Sequence, residues 1–220
     1  MFIVLEGPDC VGKTTQAKLL AQRFRSCGRE VLELAFPGKS PAGYAARACM
    51  RVGANWDGVS DDRLLPAVLR QSAMIADRYG CIPQIRDCLC HGGIVIADRW
   101  TQSGEIYGPL EGVDLEWTKA AQGSLPAADL NILLELSLDR ICARLRARGA
   151  TRDMYEDRSF LRTIVELYHM TWAPREFQKG VQPRGDYPMW RCVDADRDER
   201  SIHEAIFALA RKELERRERL

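Results

Sequence analysis

The sequence predicts a three-layer α/β fold in which helices flank a five-stranded parallel sheet. Two observations predict it: short apolar runs recur five times along the 220 residues, and helical sequence separates each run from the next. Strands that alternate with helices need crossover connections, which give parallel sheets covered on both faces. Because 46% of the residues are hydrophobic, a chain of this length buries one sizeable core. We therefore expect a single domain over residues 1–220.

The apolar runs give the strands in chain order. The first run, Phe2 to Leu5, ends at a glycine turn, and a helical pattern begins at Lys13. The remaining runs are Val31 to Ala35, Ile94 to Ala97, Leu130 to Leu136 and Met189 to Val193. Parallel sheets of this kind bind ligands at the carboxyl ends of their strands. Functional motifs are therefore expected directly after each run.

Charge and hydropathy limit the classes of partner. The chain has 32 Lys and Arg against 31 Asp and Glu, so no basic field favours a nucleic-acid polymer. No apolar run approaches the roughly 20 residues that span a bilayer, and the first residues lack the features of a secretory signal. The eight cysteines include no Cys-x-x-Cys pair, which indicates reduced thiols. We expect a cytoplasmic protein with neither a nucleic-acid polymer nor a membrane as partner.

The most specific motif stands between the first strand and the first helix. Residues 7–14, GPDCVGKT, fit the pattern G-x-x-x-x-G-K-[ST]. In this pattern backbone N–H groups surround phosphate oxygens, Lys13 reaches the terminal phosphates, and the Thr14 hydroxyl suits Mg²⁺. The alternative is a tight glycine turn that matches by chance, but the strand, loop and helix context disfavours it. ATP or GTP is the implied phosphoryl donor.

A carboxylate follows the third strand. The run 92–97, GGIVIA, delivers Asp98 to the same edge of the sheet as the glycine-rich loop. By itself an Asp after a strand is as often a helix cap as a metal ligand. Beside the phosphate loop, a carboxylate there can hold magnesium through water. We therefore predict Thr14 and Asp98 as the metal-site residues.

These motifs and others along the chain resemble the thymidylate kinase family of P-loop nucleoside monophosphate kinases. The matching segments, in family order and spacing, are GPDCVGKTTQAKLL, FPGKSP, ADRWTQSGEIYG, RARGATRDMYE and VDA. The resemblance implies the P-loop kinase fold with a lid at about residues 147–157. It also implies transfer of the γ-phosphoryl group of ATP to dTMP, with Mg²⁺ as cofactor and dTDP and ADP as products. Family members are commonly homodimers, and the apolar positions Leu64, Leu65 and Val68 suit either core or interface.

The resemblance also implies a role for individual residues of this chain. The catalytic residues would be Lys13, Arg99, Arg148 and Arg152. The ATP-binding residues would be Gly7, Asp9, Cys10, Val11, Gly12, Lys13, Thr14, Thr15, Arg148 and Ala195. The acceptor-binding residues would be Asp9, Phe36, Pro37, Lys39, Met74, Arg78, Arg99, Ser103 and Tyr107. Core packing is an open alternative for Phe36 and Tyr107.

Four of these residues would select the acceptor. By resemblance Asp9 meets the sugar 3′-hydroxyl and Arg99 grips the acceptor phosphate, which suits a planar guanidinium. Arg78 only donates hydrogen bonds, so it would select the O4 carbonyl of thymine or uracil and reject the amino group of cytosine. Met74 stands where the family has a stacking aromatic. Since methionine is flexible, a changed 5-substituent is an open alternative.

A stripe of arginines precedes the lid. Ser137 can cap a helix on which Arg140, Arg144 and Arg148 share a face that points out of the core. Such stripes are often solvated surface, but this one leads into the lid-like loop. Cys10 occupies the phosphate-loop position where some family members have a catalytic arginine. By resemblance the lid would therefore supply this charge, through Arg148 and Arg152.

Three alternatives to a dTMP kinase stay open from the sequence. One is a kinase for another or 5-modified deoxypyrimidine monophosphate, such as 5-hydroxymethyl-dUMP. Another is a deoxynucleoside kinase, although the second strand here ends in Phe36-Pro37-Gly38 without a carboxylate to act as base. The third, a noncatalytic nucleotide-binding module, conflicts with the presence of Lys13 and Thr14.

Overall fold

The fold is seen in a computed structural model that describes residues 1–52, 64–148, 158–172 and 189–219. Five strands in these residues form one sheet, in the order β2-β3-β1-β4-β5, and every pair is parallel. The strands are β1 (Phe2–Glu6), β2 (Val31–Ala35), β3 (Ile94–Asp98), β4 (Leu130–Glu135) and β5 (Met189–Asp194). The predicted five-stranded parallel sheet is confirmed.

Helices connect and cover the strands. In the described parts of the chain they are α1 (Lys13–Ser26), α2 (Pro41–Val52), α3 (Leu64–Gly80), α4 (Ile82–Cys90), α5 (Thr101–Leu110), α6 (Leu115–Gln122), α7 (Leu138–Arg148), α8 (Arg158–Trp172) and α9 (Glu199–Arg217). None of the described helices is both long and apolar enough to cross a membrane. The assignment of residues 1–220 to one domain stays a prediction.

The central strand β1 is buried on both faces, and each of its residues is 0% exposed. Ile3 and Leu5 pack into a core shared with α1 and α9, while Phe2 and Val4 pack on the opposite face with Trp100. Successive side chains of a strand point to opposite faces, so a wholly apolar run is what a two-sided core requires.

Four strands end one residue away from the boundary expected from apolar runs. β1, β3 and β5 continue into a polar residue, and β4 stops before Leu136. The register explains this result, because Leu5 is paired with Asp98 and Glu135 with Asp194. Backbone hydrogen bonds hold the ladder, so β1, β3 and β5 extend past their last apolar side chains, while β4 ends at Glu135, its last residue paired with β5. The loops that follow these strands lie at one edge of the sheet, where the predicted motifs meet.

Candidate active site

The phosphate loop connects β1 to α1. Gly7 has φ 139° and Gly12 has φ 105°, values that L side chains rarely adopt. A Cβ atom at Gly7 would also lie 2.7 Å from the carbonyl oxygen of Leu134. No side chain in the described residues caps α1, so its first N–H groups are directed toward an anion-binding position.

Lys13 is the first residue of α1 and is 6% exposed. Its Nζ donates a hydrogen bond to the carbonyl oxygen of Pro8 over 2.6 Å. Burial, together with the nearby Arg99 charge, lowers the pKa of Lys13 to about 8. The carboxylates of Asp9 and Asp98 act in the opposite direction and raise this pKa. The ammonium group therefore stays mostly protonated at neutral pH, but less firmly than an exposed lysine does.

Thr14 and Asp98 meet at the carboxyl edge of the sheet, as predicted for the metal site. The Thr14 hydroxyl donates to Asp98 Oδ2, and the other Asp98 oxygen is buried with no hydrogen-bond partner in the described chain. The described residues contain no cluster of three or more His, Cys, Asp or Glu that could hold a metal. One hydroxyl and one carboxylate fit Mg²⁺, which keeps several waters and shares its coordination with substrate phosphates.

Asp9 and Arg99 form an ion pair across the mouth of the site. Arg99 Nη2 lies 2.5 Å from Asp9 Oδ1, and the Arg99 backbone has φ 72°, which is uncommon outside glycine. Burial acts to raise the pKa of Asp9, but the charges of Arg99 and Lys13 outweigh burial and hold that pKa below its usual value. For Arg99, burial acts to lower the pKa, but the neighbouring Tyr107 and Asp9 raise it well above its usual value. Asp9 and Arg99 are therefore both charged.

A buried polar network supports Arg99 from below. Arg99 Nη1 donates to Ser103 Oγ over 3.0 Å and to the Tyr168 hydroxyl over 3.3 Å. Both hydroxyl groups in turn donate to Glu6, which is 0% exposed. Burial and the Glu6 charge raise the pKa of Tyr168 well above its usual value, so the phenol keeps its proton. Sequence reasoning missed Glu6 and Tyr168, although a glutamate that closes a wholly apolar strand was a visible signal.

One cleft, the substrate cleft, brings most of the predicted residues together. It runs from the phosphate loop past Arg99 to α3. Its lining consists of Asp9, Cys10, Gly12, Lys13, Thr14, Thr15, Ala35, Phe36, Pro37, Arg47, Met50, Gln71, Met74, Arg78, Asp98, Arg99, Ser103, Gly104, Tyr107, Arg144 and Arg148.

Other predicted residues lie outside the cleft lining. Gly7 and Val11 are buried within the phosphate loop, and Ala195 is 0% exposed after β5. The Lys39 side chain is exposed and does not line the substrate cleft. Arg152 and most of the predicted lid, residues 149–157, lie outside the described residues, so their roles stay predictions.

Helix α3 forms the far wall of the substrate cleft. Arg78 is 2% exposed and donates from Nη1 to Gln122 Oε1 over 2.8 Å, while its Nε has no partner in the described residues. Burial lowers the pKa of Arg78 to about 10, so it is still charged at neutral pH. Gln71 and Met74 lie on the same face of α3, since both line the cleft with Arg78. Sequence reasoning did not single out Gln71.

Two further residues fix the loop between β2 and α2. Asp77 accepts hydrogen bonds from the Gly38 backbone N–H and the Ser40 hydroxyl, each over 2.5 Å. Arg47 donates to the carbonyl oxygens of Pro37 and Gly38. The predicted acceptor-binding segment Phe36-Pro37 is therefore held by α2 and α3. Phe36 also packs on Trp100, with ring centroids 5.1 Å apart, so it serves the core as well as the cleft.

Two arginines of the stripe on α7, Arg144 and Arg148, contact the phosphate loop. Arg144 donates to the carbonyl oxygens of Cys10, Val11 and Ala195 over 3.3, 3.2 and 2.8 Å. Arg148 Nη1 lies 3.8 Å from Cys10 Sγ. The stripe does point out of the core, but at Arg144 it joins the phosphate loop to the segment after β5. Solvated surface is therefore the wrong description of Arg144, which sequence reasoning had left outside the site.

Comparison with known proteins agrees with this geometry. The family profile described as thymidylate kinase matches residues 5–178. A probable thymidylate kinase of Pyrococcus horikoshii is 33% identical over 97% of both chains. The thymidylate kinase of Thermomicrobium roseum is 32% identical over 98% of this chain and 96% of its own, and the human thymidylate kinase is 26% identical over 95% and 89%. The resemblance seen in the sequence is confirmed, and the chain belongs to the thymidylate kinase family of nucleoside monophosphate kinases.

Proposed function

We propose that the protein transfers the γ-phosphoryl group of ATP to dTMP, with Mg²⁺, giving dTDP and ADP. The observation that carries this proposal is the substrate cleft, in which the phosphate loop, the Arg99 guanidinium and Arg78 of α3 line one continuous space. Family membership supports the same reaction.

On the donor side, the phosphate loop and Lys13 bind the terminal phosphates of ATP. Thr14 and the unpartnered oxygen of Asp98 would hold Mg²⁺, which would supply positive charge next to the phosphates. Arg148 lies beside Cys10 at the loop, where its charge adds to that of Lys13. By resemblance Arg152 of the lid completes this group of cations.

On the acceptor side, the phosphate, the 3′-hydroxyl and the O4 carbonyl of dTMP each have a matching side chain. Arg99 binds the phosphate, for which the planar guanidinium offers paired donors. Asp9 is ionised and accepts a hydrogen bond from the 3′-hydroxyl, which favours nucleotides that carry a free 3′-hydroxyl. Arg78 donates to O4 of the base and has no acceptor to offer the amino group of cytosine. Met74 covers the base.

Catalysis rests on positioning and charge neutralisation. The acceptor phosphate has a second pKa of about 6, so it is already anionic at neutral pH and needs no strong base. Lys13 and Arg99 reduce the repulsion between the donor and acceptor phosphates and hold the reacting oxygen in line with the γ-phosphorus.

A deoxynucleoside kinase is less compatible with the cleft. A neutral 5′-hydroxyl acceptor benefits from a carboxylate base, and the carboxylates among the described lining residues are Asp9 and Asp98. Asp9 is paired with Arg99 and has a lowered pKa, which makes it a weak base. Asp98 is bonded to Thr14 on the metal side. Neither is suited to deprotonating a sugar hydroxyl.

We further propose a homodimer formed through α3 and α6. These helices are in contact, and each exposes large apolar side chains. Leu65 is 45%, Leu69 42%, Leu115 36% and Trp117 39% exposed. A patch of this kind on a protein surface favours association. Leu65 was predicted to suit an interface or core, and its exposure favours the interface.

The experiment that tests the proposed reaction measures ADP release from ATP and Mg²⁺ across a panel of acceptors. The panel contains dTMP, dUMP, 5-hydroxymethyl-dUMP, dCMP, dGMP, UMP and thymidine. We expect the highest kcat/KM with dTMP and a requirement for Mg²⁺. A preference for 5-hydroxymethyl-dUMP would instead make Met74 a change of specificity, and a preference for thymidine would contradict the monophosphate assignment. ATP binding without turnover on any acceptor would leave only a nucleotide-binding module.

A further inference from the structure

A carboxylate that does not line the substrate cleft lies directly beneath it. Glu6 closes β1 and is 0% exposed. Its Oε1 accepts from the backbone N–H groups of Trp100 and Ser103 over 2.7 and 3.2 Å. Its Oε2 accepts from the Ser103 hydroxyl over 2.7 Å and from the Tyr168 hydroxyl over 2.9 Å. These donors satisfy a buried charge that would otherwise be costly.

The two hydroxyl groups connect Glu6 to Arg99. Each hydroxyl has one hydrogen to donate, whereas a guanidinium only donates. Because Ser103 and Tyr168 give their hydrogens to Glu6, their lone pairs are free to accept from Arg99 Nη1, which lies 3.0 and 3.3 Å away. A hydroxyl hydrogen turned toward Arg99 would oppose the guanidinium charge. The carboxylate thus decides which way both hydroxyl groups face.

We infer that Glu6 is a positioning residue that sets the direction of the Ser103 and Tyr168 hydroxyl groups and thereby holds Arg99 in its phosphate-binding orientation. This inference rests on the proposed role of Arg99 as the ligand of the acceptor phosphate. The backbone of Arg99 does not favour this placement by itself, because φ is 72°. Asp9 pairs with Nη2 of the guanidinium, whereas Ser103 and Tyr168 accept from Nη1, and Glu6 fixes the direction of these two acceptors.

The substitution Glu6→Gln tests the inference with almost no change of shape. The amide oxygen can still accept from the Trp100 and Ser103 N–H groups, but the amide nitrogen donates toward the two hydroxyl groups. The Ser103 hydroxyl can then donate its hydrogen to the Tyr168 oxygen, 3.1 Å away. The Tyr168 hydroxyl has lost Glu6 as its acceptor, so its hydrogen must turn toward Arg99. We expect kcat/KM for dTMP to fall by at least about tenfold, the scale of one hydrogen bond to a charged group. The loss should include a raised KM for dTMP, with the Kd for ADP changed by less than about twofold.

A rescue experiment separates hydroxyl direction from simple loss of a buried charge. In a Ser103→Ala/Tyr168→Phe background no hydroxyl hydrogen remains to be misdirected, so Glu6→Gln should cost less than about threefold there. Equal losses in both backgrounds would overturn the inference. The matched control is Glu213→Gln, which alters another buried carboxylate, 3% exposed and bonded to Arg216 on α9. Its kcat/KM for dTMP should equal that of the wild type.

The same variants also test hydroxyl direction without any assay of activity. Urea unfolding should show coupling between Glu6→Gln and removal of the hydroxyl groups, of at least about tenfold in the unfolding equilibrium constant. Additive effects on stability would overturn the inference even if activity falls. If the wild type does not phosphorylate dTMP, the proposed function fails. The coupling measured by urea unfolding of the same variants still tests whether Glu6 directs the hydroxyl groups.

Discussion

Replacing Arg78 with methionine should weaken the choice of acceptor base. Arg78 lies in the wall of the substrate cleft, is 2% exposed, and has an Nε without a partner in the described chain. Its donors are therefore available to a base carbonyl. A hydrogen bond to a charged group contributes about 1.5–3 kcal/mol, and each 1.36 kcal/mol of activation energy is about a tenfold change in rate. We expect kcat/KM for dTMP to fall by roughly 10- to 150-fold.

The assay compares kcat/KM for dTMP and dCMP in the same variant. Methionine offers no donor to repel the cytosine amino group, so the preference for dTMP should shrink along with the rate. The matched control is Arg70→Met on the same helix. Arg70 pairs with Glu111 at 2.9 Å and does not line the cleft. Breaking this buried pair should cost about 3–5 kcal/mol of stability but leave the dTMP to dCMP ratio unchanged. An unchanged ratio in Arg78→Met would refute base reading by Arg78.

Three further predictions follow from the site and the surface. The pKa of Lys13 is lowered to about 8, so its charge is lost as pH rises through that value, and ATP should bind the free enzyme more weakly above pH 8. A Kd that is flat from pH 7 to 9 would contradict this. Arg152→Ala should lower kcat by about 10³ in steady-state assays, whereas an unchanged kcat would remove Arg152 from the mechanism. Leu69→Glu with Trp117→Glu should convert a dimer into monomers by light scattering, while a persistent dimer would place the interface elsewhere.

The parts of the site that follow from strand ends could be predicted from the sequence. Thr14 and Asp98 lie far apart in the chain, yet Asp98 closes β3 and Thr14 lies in the first turn of α1, directly after the loop that follows β1. Parallel strands bring their carboxyl ends to one edge, and the hydrogen bond between these two side chains agrees with that expectation. The five strands were predictable for the same reason, because a buried parallel strand must be apolar on both faces.

Partners of buried polar groups could not be predicted in the same way. Periodicity reports which face of an element is buried but not which side chain lies opposite. Glu6 and Tyr168 are 162 positions apart, and their hydrogen bond depends on how α8 packs against the sheet. The stripe containing Arg144 was visible, but only the structure shows that this guanidinium binds three backbone carbonyls. Lys39 belongs to a matching segment, yet its side chain lies outside the cleft lining.

Arg78 and Arg99 line one cleft in opposite electrostatic surroundings. Burial lowers the pKa of Arg78 to about 10, whereas acidic neighbours raise that of Arg99 against burial. Arg78 donates to a neutral amide, an arrangement suited to a neutral base. Arg99 is already paired with Asp9, so an acceptor phosphate has to compete with that carboxylate. Asp9 then needs a new donor, and the 3′-hydroxyl of the same molecule can supply it. An acceptor without that hydroxyl would leave a partly buried carboxylate unpaired, so in the proposed reaction we expect recognition of phosphate and sugar to be coupled through one ion pair.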